Sequence, residues 1–163
     1  MLFGNFTIMS YKLNSLRQGF HNLTPCLVVK DANKAIEFYT KVFGAKENYR
    51  NQAPDNKSVM YAELTIGDSK LILSDEFPDM DSLSPLTVGK SSVSLYLYVD
   101  DADQTFERAV SEGSNVIVHM TDAYWGDRWG QLRDPFGHIW SIATHKKDVA
   151  PEEMEKAAKE EIR

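Results

Sequence analysis

The sequence predicts an α+β fold in which two tandem βαβββ modules form a cupped sheet of mixed parallel and antiparallel strands, followed by a C-terminal helix. The main observation is a repeat, since residues 29–33 (VKDAN) return as residues 99–103 (VDDAD), 70 positions later. Gly67 and Gly137 are separated by the same interval. A repeat this long is one supersecondary unit used twice, and each copy needs the other to bury its apolar face. Two facing halves leave a cleft, where we expect a small-molecule ligand.

The first module, residues 21–77, has the predicted order β-α-β-β-β. Asp31 is a good N-cap for a helix with an apolar stripe, and Gly44 is placed to end that helix. A tight turn at Gly67 joins the last two strands. We predict the strands of this module at residues 23–29, in an irregular polar hairpin region at 48–55, and at residues 60–66 and 71–73.

The second module, residues 91–147, repeats this order after a linker at 78–90 that is rich in Pro, Ser and Asp. Asp101 is the predicted N-cap of its helix, which ends at Gly113. The first strand alternates apolar and polar residues, as a half-buried strand does. We predict this first strand at residues 92–99. The later strands are predicted at 116–118, 130–133 and 139–143, with a loop at 124–130.

Two further segments flank the two-module domain at residues 21–147. Residues 1–20 are interpreted as an N-terminal extension. Residues 148–163 predict a separate helix, because Pro151 suits a first helical turn and the acidic residues that follow it favour the positive end of the helix dipole.

Composition excludes several classes of protein. A formal net charge of −6 argues against a nucleic-acid partner, which requires a basic face. No apolar run approaches the ~20 residues that cross a bilayer, so we predict no membrane partner. Cys26 is the only cysteine, which fits a reducing compartment, and we expect a cytoplasmic protein with this thiol buried in an apolar strand.

Four motifs resemble one known family. They are residues 38–45 (FYTKVFGA), 63–69 (ELTIGDS), 125–128 (WGDR) and 133–138 (RDPFGH). Together with the βαβββ repeat they resemble the glyoxalase/bleomycin resistance/dioxygenase superfamily, also called vicinal oxygen chelate proteins, and within it the PhnB-like branch. The resemblance implies the fold and a homodimer in which modules pair across subunits. It is far less specific for activity, because this fold hosts isomerases, dioxygenases, thiol transferases and non-catalytic drug binders.

The resemblance also implies a divalent metal, held by His, Glu or Gln side chains, two from each module. The corresponding positions in this chain are Thr24, Ile72, Ser94 and Ser141. Hydroxyls do not hold a transition metal unaided and an isoleucine side chain has no donor atom, so we predict that the family metal is absent and that no other cofactor is bound. A shift of one residue in the strand register offers no stronger ligand.

An aromatic cleft is the predicted binding site. Rings are dense in the second module and are interleaved with Arg128 and Arg133, which suits a planar or anionic organic ligand. The alternative is a core of large rings with rim ion pairs, one of them between Asp127 and Arg128. The predicted ligand-binding residues are Ser94, Tyr96, Tyr98, Trp125, Arg128, Trp129 and Ser141.

Three functions follow from these observations. The favoured one is a metal-free binding protein that encloses a small organic molecule. The second is a glyoxalase- or dioxygenase-type enzyme, with a non-standard metal site or with acid–base chemistry from Glu63 and His138. Glu63 has the alternative role of a cross-strand ion-pair partner, His138 that of a structural residue at a turn, and His119 and His145 are weaker candidates. The third is an interaction protein that acts through its dimer and C-terminal helix.

Overall fold

The computed structural model describes residues 15–161, in which the predicted α+β fold is confirmed. Residues 1–14 of the predicted N-terminal extension and residues 162–163 of the predicted C-terminal helix lie outside the described residues. In the first half the elements are β1 (Cys26–Val29), α1 (Ala32–Phe43), β2 (Lys46–Gln52), β3 (Val59–Ile66) and β4 (Ser69–Asp75). A short helix, α2 (Pro85–Val88), lies in the linker. The second half contains β5 (Ser94–Tyr98), α3 (Ala102–Ser111), β6 (Asn115–Asp122), β7 (Asp127–Arg133), β8 (Ile139–His145) and α4 (Pro151–Glu161).

The strands form two four-stranded sheets with the same topology. Their orders are β1-β4-β3-β2 and β5-β8-β7-β6, as the repeat requires. The first strand of each sheet pairs in parallel with the last, and the other pairs are antiparallel. Within the described residues every strand pairs inside its own half.

Matching polar contacts begin both long helices. The Asp31 carboxylate accepts a hydrogen bond from the Lys34 backbone N–H at 3.0 Å, as predicted for an N-cap. Asp101 accepts one from the Gln104 N–H at 2.9 Å. Gly44 ends α1 with a φ of 66°, in the left-handed region that favours glycine. The sequence therefore predicts the limits of both helices well.

Each helix start is also attached to the last strand of its own sheet. In the first half, the buried Asp75 carboxylate accepts hydrogen bonds from the backbone N–H groups of Ala32 and Val59, at 2.8 and 2.7 Å. In the second half, the Thr144 hydroxyl accepts from the Ala102 N–H at 2.9 Å. Both side chains satisfy a donor at the first turn that the helix itself leaves unpaired.

The structure corrects three local predictions. Residues 46–52 form an edge strand rather than an irregular region, and their polar side chains are mostly exposed to solvent. Residues 127–129 belong to β7 rather than to a loop. The Cys26 thiol is exposed, not buried, because alternation along β1 turns Leu27 and Val29 toward the core and Cys26 away from it. Partial burial of the Cys26 thiol nevertheless raises its pKa.

One hydrophobic core runs through both halves, and Asp134 joins them. Its side chain is 2% exposed. The Tyr39 hydroxyl of α1 donates to Asp134 Oδ2 at 2.7 Å, and the Trp140 indole N–H donates to the same oxygen at 2.9 Å. Oδ1 accepts the backbone N–H groups of Phe136 and His138, each at 2.9 Å. This carboxylate therefore fixes the turn between β7 and β8 against the helix of the other half.

No helix within residues 15–161 is both long and apolar enough to cross a membrane. Near the C-terminus, α4 begins at Pro151, three residues after the predicted start at residue 148, and Pro151 lies in its first turn as predicted.

Candidate ligand site on the second sheet

Strand register brings most of the predicted ligand-binding residues to one face of the second sheet. Tyr96 of β5 lies beside Ser141 of β8, and Ser141 lies beside Gln131 of β7. Since side chains alternate along a strand, Asp127 and Trp129 share this face with Gln131. The opposite face carries core residues such as Leu132 and Ile142, both fully buried.

Asp127 is the centre of a polar network on this face. Its carboxylate is 2% exposed, and one oxygen, Oδ2, accepts three side-chain hydrogen bonds. The donors are the Tyr98 hydroxyl at 2.9 Å, the Tyr96 hydroxyl at 3.0 Å and the Trp125 indole N–H at 3.0 Å. The other oxygen, Oδ1, lies 2.9 Å from Nδ1 of His145, whose Nε2 lies 3.1 Å from Asp148. Every hydrogen-bonding side chain around Asp127 thus directs a proton toward it.

This network shifts the pKa values of its members. Burial alone would raise the pKa of Asp127, but the hydrogen bonds from His145, Tyr98, Tyr96 and Trp125 together lower it below the ordinary value of 3.8. The pKa of His145 is raised above 6.5, first by its bond to Asp127 and then by its bond to Asp148. Burial and the neighbouring carboxylate raise the pKa of Tyr96 and Tyr98. Asp127 is therefore a fixed anion, and both phenols stay protonated.

Aromatic rings form the wall around this carboxylate. The Tyr96 and Tyr98 ring centroids lie 5.1 Å apart, and those of Trp125 and Trp129 lie 5.3 Å apart in an edge-to-face arrangement. Tyr96 is 46% exposed and Tyr98 is 60% exposed. The indole nitrogen of Trp129 is buried and has no hydrogen-bond partner among the residues described. Two exposed phenols beside two indoles form a surface suited to a flat organic molecule.

Two cavities border the tyrosines. A groove of about 590 Å³ follows β5, and its lining residues include Tyr96, Tyr98, Asp68 and Asp100. A smaller cavity of about 260 Å³ lies between Tyr96, Ser94 and the segment that precedes β1. The groove lies within the range of about 300–1,000 Å³ that is typical of small-ligand sites, and the smaller cavity lies just below it.

The residues at the family's metal positions do not fit a metal ion. The structure brings Ser94 and Ser141 together, with their hydroxyl oxygens 3.2 Å apart, and the Gln131 amide nitrogen lies 3.1 Å from the Ser141 oxygen. The Thr24 hydroxyl bonds weakly to a nearby backbone carbonyl at 3.4 Å, and Ile72 offers no donor atom. Within residues 15–161, no three His, Cys, Asp or Glu side chains are grouped as metal ligands. Hydroxyls that bond to each other and to an amide are not a transition-metal site.

Arg128 lies away from the aromatic face. As the neighbour of Asp127 on a strand, it points to the other side, where its guanidinium binds the Asp103 carboxylate of α3 at 2.7 Å. It also lies 3.5 Å from Asp122. The ion pair considered between Asp127 and Arg128 is therefore replaced by one between α3 and β7, and Arg128, one of the two arginines that favoured an anionic ligand, is not beside the rings. The other, Arg133, is exposed at the end of β7 in the alternation series of Asp127, Trp129 and Gln131.

The two candidate catalytic residues lie apart from each other and from this site. Glu63 is 6% exposed on the first sheet, where it binds the Arg17 guanidinium and accepts the Tyr61 hydroxyl at 2.8 Å. His138 is buried, and its Nε2 lies 3.0 Å from the Val28 carbonyl. His138 therefore has the structural role at a turn that the alternative describes, whereas Glu63 has an ion-pair partner that lies in the segment before β1 rather than on a neighbouring strand. His119 is exposed on β6.

The sequence does not single out Asp127 or Gln131, although one signal for them exists. Residues 127–133 alternate between a polar or aromatic series and a series containing Gly130 and Leu132, which is the period of a half-buried strand. The turn-like residues before them hide this pattern, because Gly126 suggests that the loop continues.

Comparisons with known proteins agree on the fold. A sequence model of the Glyoxalase/Bleomycin resistance protein/Dioxygenase superfamily matches residues 19–142. An uncharacterised protein of Mycobacterium bovis is 40% identical over 138 residues, which are 83% of this chain and 90% of the relative. The fosfomycin resistance protein FosX from Listeria monocytogenes superposes with a TM-score of 0.62 at 18% identity, covering 82% of this chain and 97% of FosX. A putative 3-demethylubiquinone-9 3-methyltransferase, PhnB protein, from Bacillus cereus gives 0.59 at 18% identity, with coverage of 76% and 99%. The two superpositions support the fold alone.

Proposed function

This chain belongs to the glyoxalase/bleomycin resistance protein/dioxygenase superfamily, and from that premise we propose that it is a metal-free binding protein for a small planar organic molecule. The observation that carries the proposal is the aromatic wall of Tyr96, Tyr98 and Trp125 held on the buried carboxylate of Asp127. Fixed rings bind flat ligands with little loss of conformational entropy. Trp129, Ser94 and Ser141 belong to the proposed site, and Arg128 does not.

The absence of the family metal is part of this proposal. It rests on the donor chemistry of Thr24, Ile72, Ser94 and Ser141, none of which is a strong ligand. The test is metal analysis of gently purified protein, followed by melting curves with Zn²⁺, Ni²⁺, Mn²⁺, Fe²⁺ and EDTA. A specific ion at 100 times its dissociation constant adds about 2.7 kcal/mol of stability. Stoichiometric metal, or a shift produced by one ion alone, would contradict the proposal.

The proposal also covers the family branch, the cellular location, the domain limits and the oligomeric state. We place the chain in the PhnB-like branch on its motifs, in the cytoplasm on its single cysteine, and its two-module domain at residues 21–147. We also propose a homodimer, as the family resemblance implies, and apolar side chains exposed in one copy, such as Val93 at 64%, offer surface for that contact. Sedimentation at several protein concentrations tests the dimer.

Ligand screening tests the binding function. The full chain is screened by thermal shift against a panel of planar organic compounds, and ligands are confirmed by titration calorimetry. We expect Trp125→Ala to weaken a confirmed ligand at least about tenfold, which corresponds to about 1.4 kcal/mol. Tyr49→Phe is the control, because Tyr49 is 54% exposed on the other sheet. A panel without a ligand, or ligands indifferent to Trp125→Ala, would contradict the function.

The alternative is an enzyme of the glyoxalase or dioxygenase type. The observation in its favour is the bond between His145 and the buried Asp127, since a carboxylate that orients an imidazole is a common acid–base arrangement. Glu63 and His138, by contrast, are engaged by other groups. Turnover of a superfamily substrate that survives Glu63→Gln and His138→Ala but not His145→Gln would favour this alternative.

A further inference from the structure

The first sheet contains a tyrosine–carboxylate pair that binds a guanidinium from the same chain. The Tyr61 hydroxyl donates its proton to Glu63 at 2.8 Å, and its oxygen accepts a hydrogen bond from Nη1 of Arg17 at 3.0 Å. The other terminal nitrogen of Arg17 binds Glu63 directly. The guanidinium lies 4.6 Å from the centre of the Phe20 ring. Within this chain, a phenol fixed by a carboxylate thus acts as an acceptor for a planar N–H cation.

The second sheet repeats this chemistry at different strand positions. Tyr96 and Tyr98 both donate their protons to Asp127, and the Trp125 N–H points to the same oxygen. Because each hydroxyl donates its single proton to Asp127, each phenol oxygen keeps acceptor capacity at the border of the groove along β5, and that of Tyr96 also accepts the Trp125 N–H at 3.3 Å. Tyr98, at 60% exposed, is the more accessible of the two. The ring faces beside them carry the negative side of the aromatic quadrupole, which also attracts cations.

The charges around the groove favour the same class of ligand. Asp68 and Asp100 line it, and no lysine or arginine lies among its lining residues in the described part of the chain. Arg128 is held on the other face by Asp103. His145 binds Asp127 and Asp148 through its two ring nitrogens, so neither nitrogen is directed at the tyrosines. Lys146 and Lys147 line a different cavity with Asp127, and neither tyrosine borders that cavity.

We propose that the ligand of this site presents an amidinium or guanidinium group, whose N–H donors bind the oxygens of Tyr98 and Tyr96 above Asp127. This inference rests on the proposed binding function and specifies its ligand class. It also excludes the anionic ligand from the planar or anionic ligands that the sequence predicts, because a carboxylate would meet acceptor oxygens and acidic neighbours instead of donors.

Three probes of one shape and different charge test this inference. Benzamidine, benzamide and benzoate are titrated into the full chain at neutral pH by calorimetry. Since charge-assisted hydrogen bonds are about twice as strong as neutral ones, we expect benzamidine to bind at least about tenfold more tightly than benzamide, with benzoate weakest. Tyr98→Phe, which removes one oxygen and keeps the ring, is expected to reduce the preference for benzamidine, as is Asp127→Asn. Tyr49→Phe is expected to leave it unchanged.

The outcomes separate this inference from the function beneath it. Equal binding of the three probes, or tighter binding of benzoate, would overturn the ligand class and leave a planar-ligand site intact. So would a preference for benzamidine that survives Tyr98→Phe, a change that removes only one half-exposed hydroxyl. If none of the three probes binds while other planar compounds from the panel do, the amidinium ligand class is wrong and the binding function stands. If no compound of the panel binds, both the ligand class and the binding function are wrong.

Discussion

Replacing Tyr39 with phenylalanine tests how the two halves are held together. Tyr39 is fully buried, and its hydroxyl donates to Asp134 at 2.7 Å across the boundary between the halves. A hydrogen bond to a carboxylate contributes about 1.5–3 kcal/mol when one partner is removed. The ring stays in place, so no large cavity adds to this loss. We therefore expect Tyr39→Phe to lower the free energy of unfolding by about 1.5–3 kcal/mol, or the melting temperature by roughly 3–12 °C in a chain of this size.

Urea unfolding followed by circular dichroism measures the loss. Tyr49→Phe is the matched control, since Tyr49 is 54% exposed and its substitution should stay within about 0.5 kcal/mol of the wild type. An equally small effect for Tyr39→Phe would refute the reasoning, because it would mean that the bond to Asp134 only offsets the cost of burying the hydroxyl.

Three further predictions concern the region of the site. Gly126→Ala is expected to lower the free energy of unfolding, measured in urea, by more than about 3 kcal/mol, because the φ of Gly126 is +100° and an added Cβ would lie 2.0 Å from a backbone carbonyl oxygen. Gly44→Ala is the control: its φ is +66° and the space around it is open, so the loss should be only about 1–2 kcal/mol. Asp127→Asn is expected to return the pKa of His145 toward 6.5 in an NMR titration. Because the pKa of His145 is raised in the folded protein, its contribution to stability is complete below about pH 6.5 and is lost as the pH rises through the folded pKa. If the pKa of His145 were the same in Asp127→Asn as in the wild type, the pairing of His145 with Asp127 would be contradicted. Arg128→Gln should cost less than about 1 kcal/mol and change benzamidine affinity less than twofold, and a larger loss of affinity would return Arg128 to the ligand site.

The repeat predicts the modules and their helices because its residues act locally. Asp31 and Asp101 bind N–H groups three residues ahead, and Gly44 adopts the backbone conformation that ends a helix. Such interactions depend on near neighbours in the sequence, so a sequence pattern contains them. Strand β2 escaped this reasoning because an edge strand tolerates polar side chains on both faces.

The site could be predicted only in part, for a geometric reason. The tyrosines of β5 follow from alternation, but their common partner lies about 30 residues away on β7, and sheet register alone brings Asp127 to them. The adjacent residues Asp127 and Arg128 suggest an ion pair in the sequence, yet consecutive strand residues face opposite sides. A correct limit for β7 would have revealed the second fact but not the register that brings Asp127 to the tyrosines.

The confinement of strand pairing to each half has a consequence for the order of folding. One sheet is complete between residues 26 and 75 and the other between residues 94 and 145, whereas Tyr39 and Asp134 are 95 positions apart. Short-range pairing closes small loops and precedes contacts that close large ones. We therefore expect Tyr39→Phe to accelerate unfolding in stopped-flow experiments while leaving the folding rate nearly unchanged. The sheet of each module would then form before the two modules dock, so the last step of folding resembles the association of two subunits.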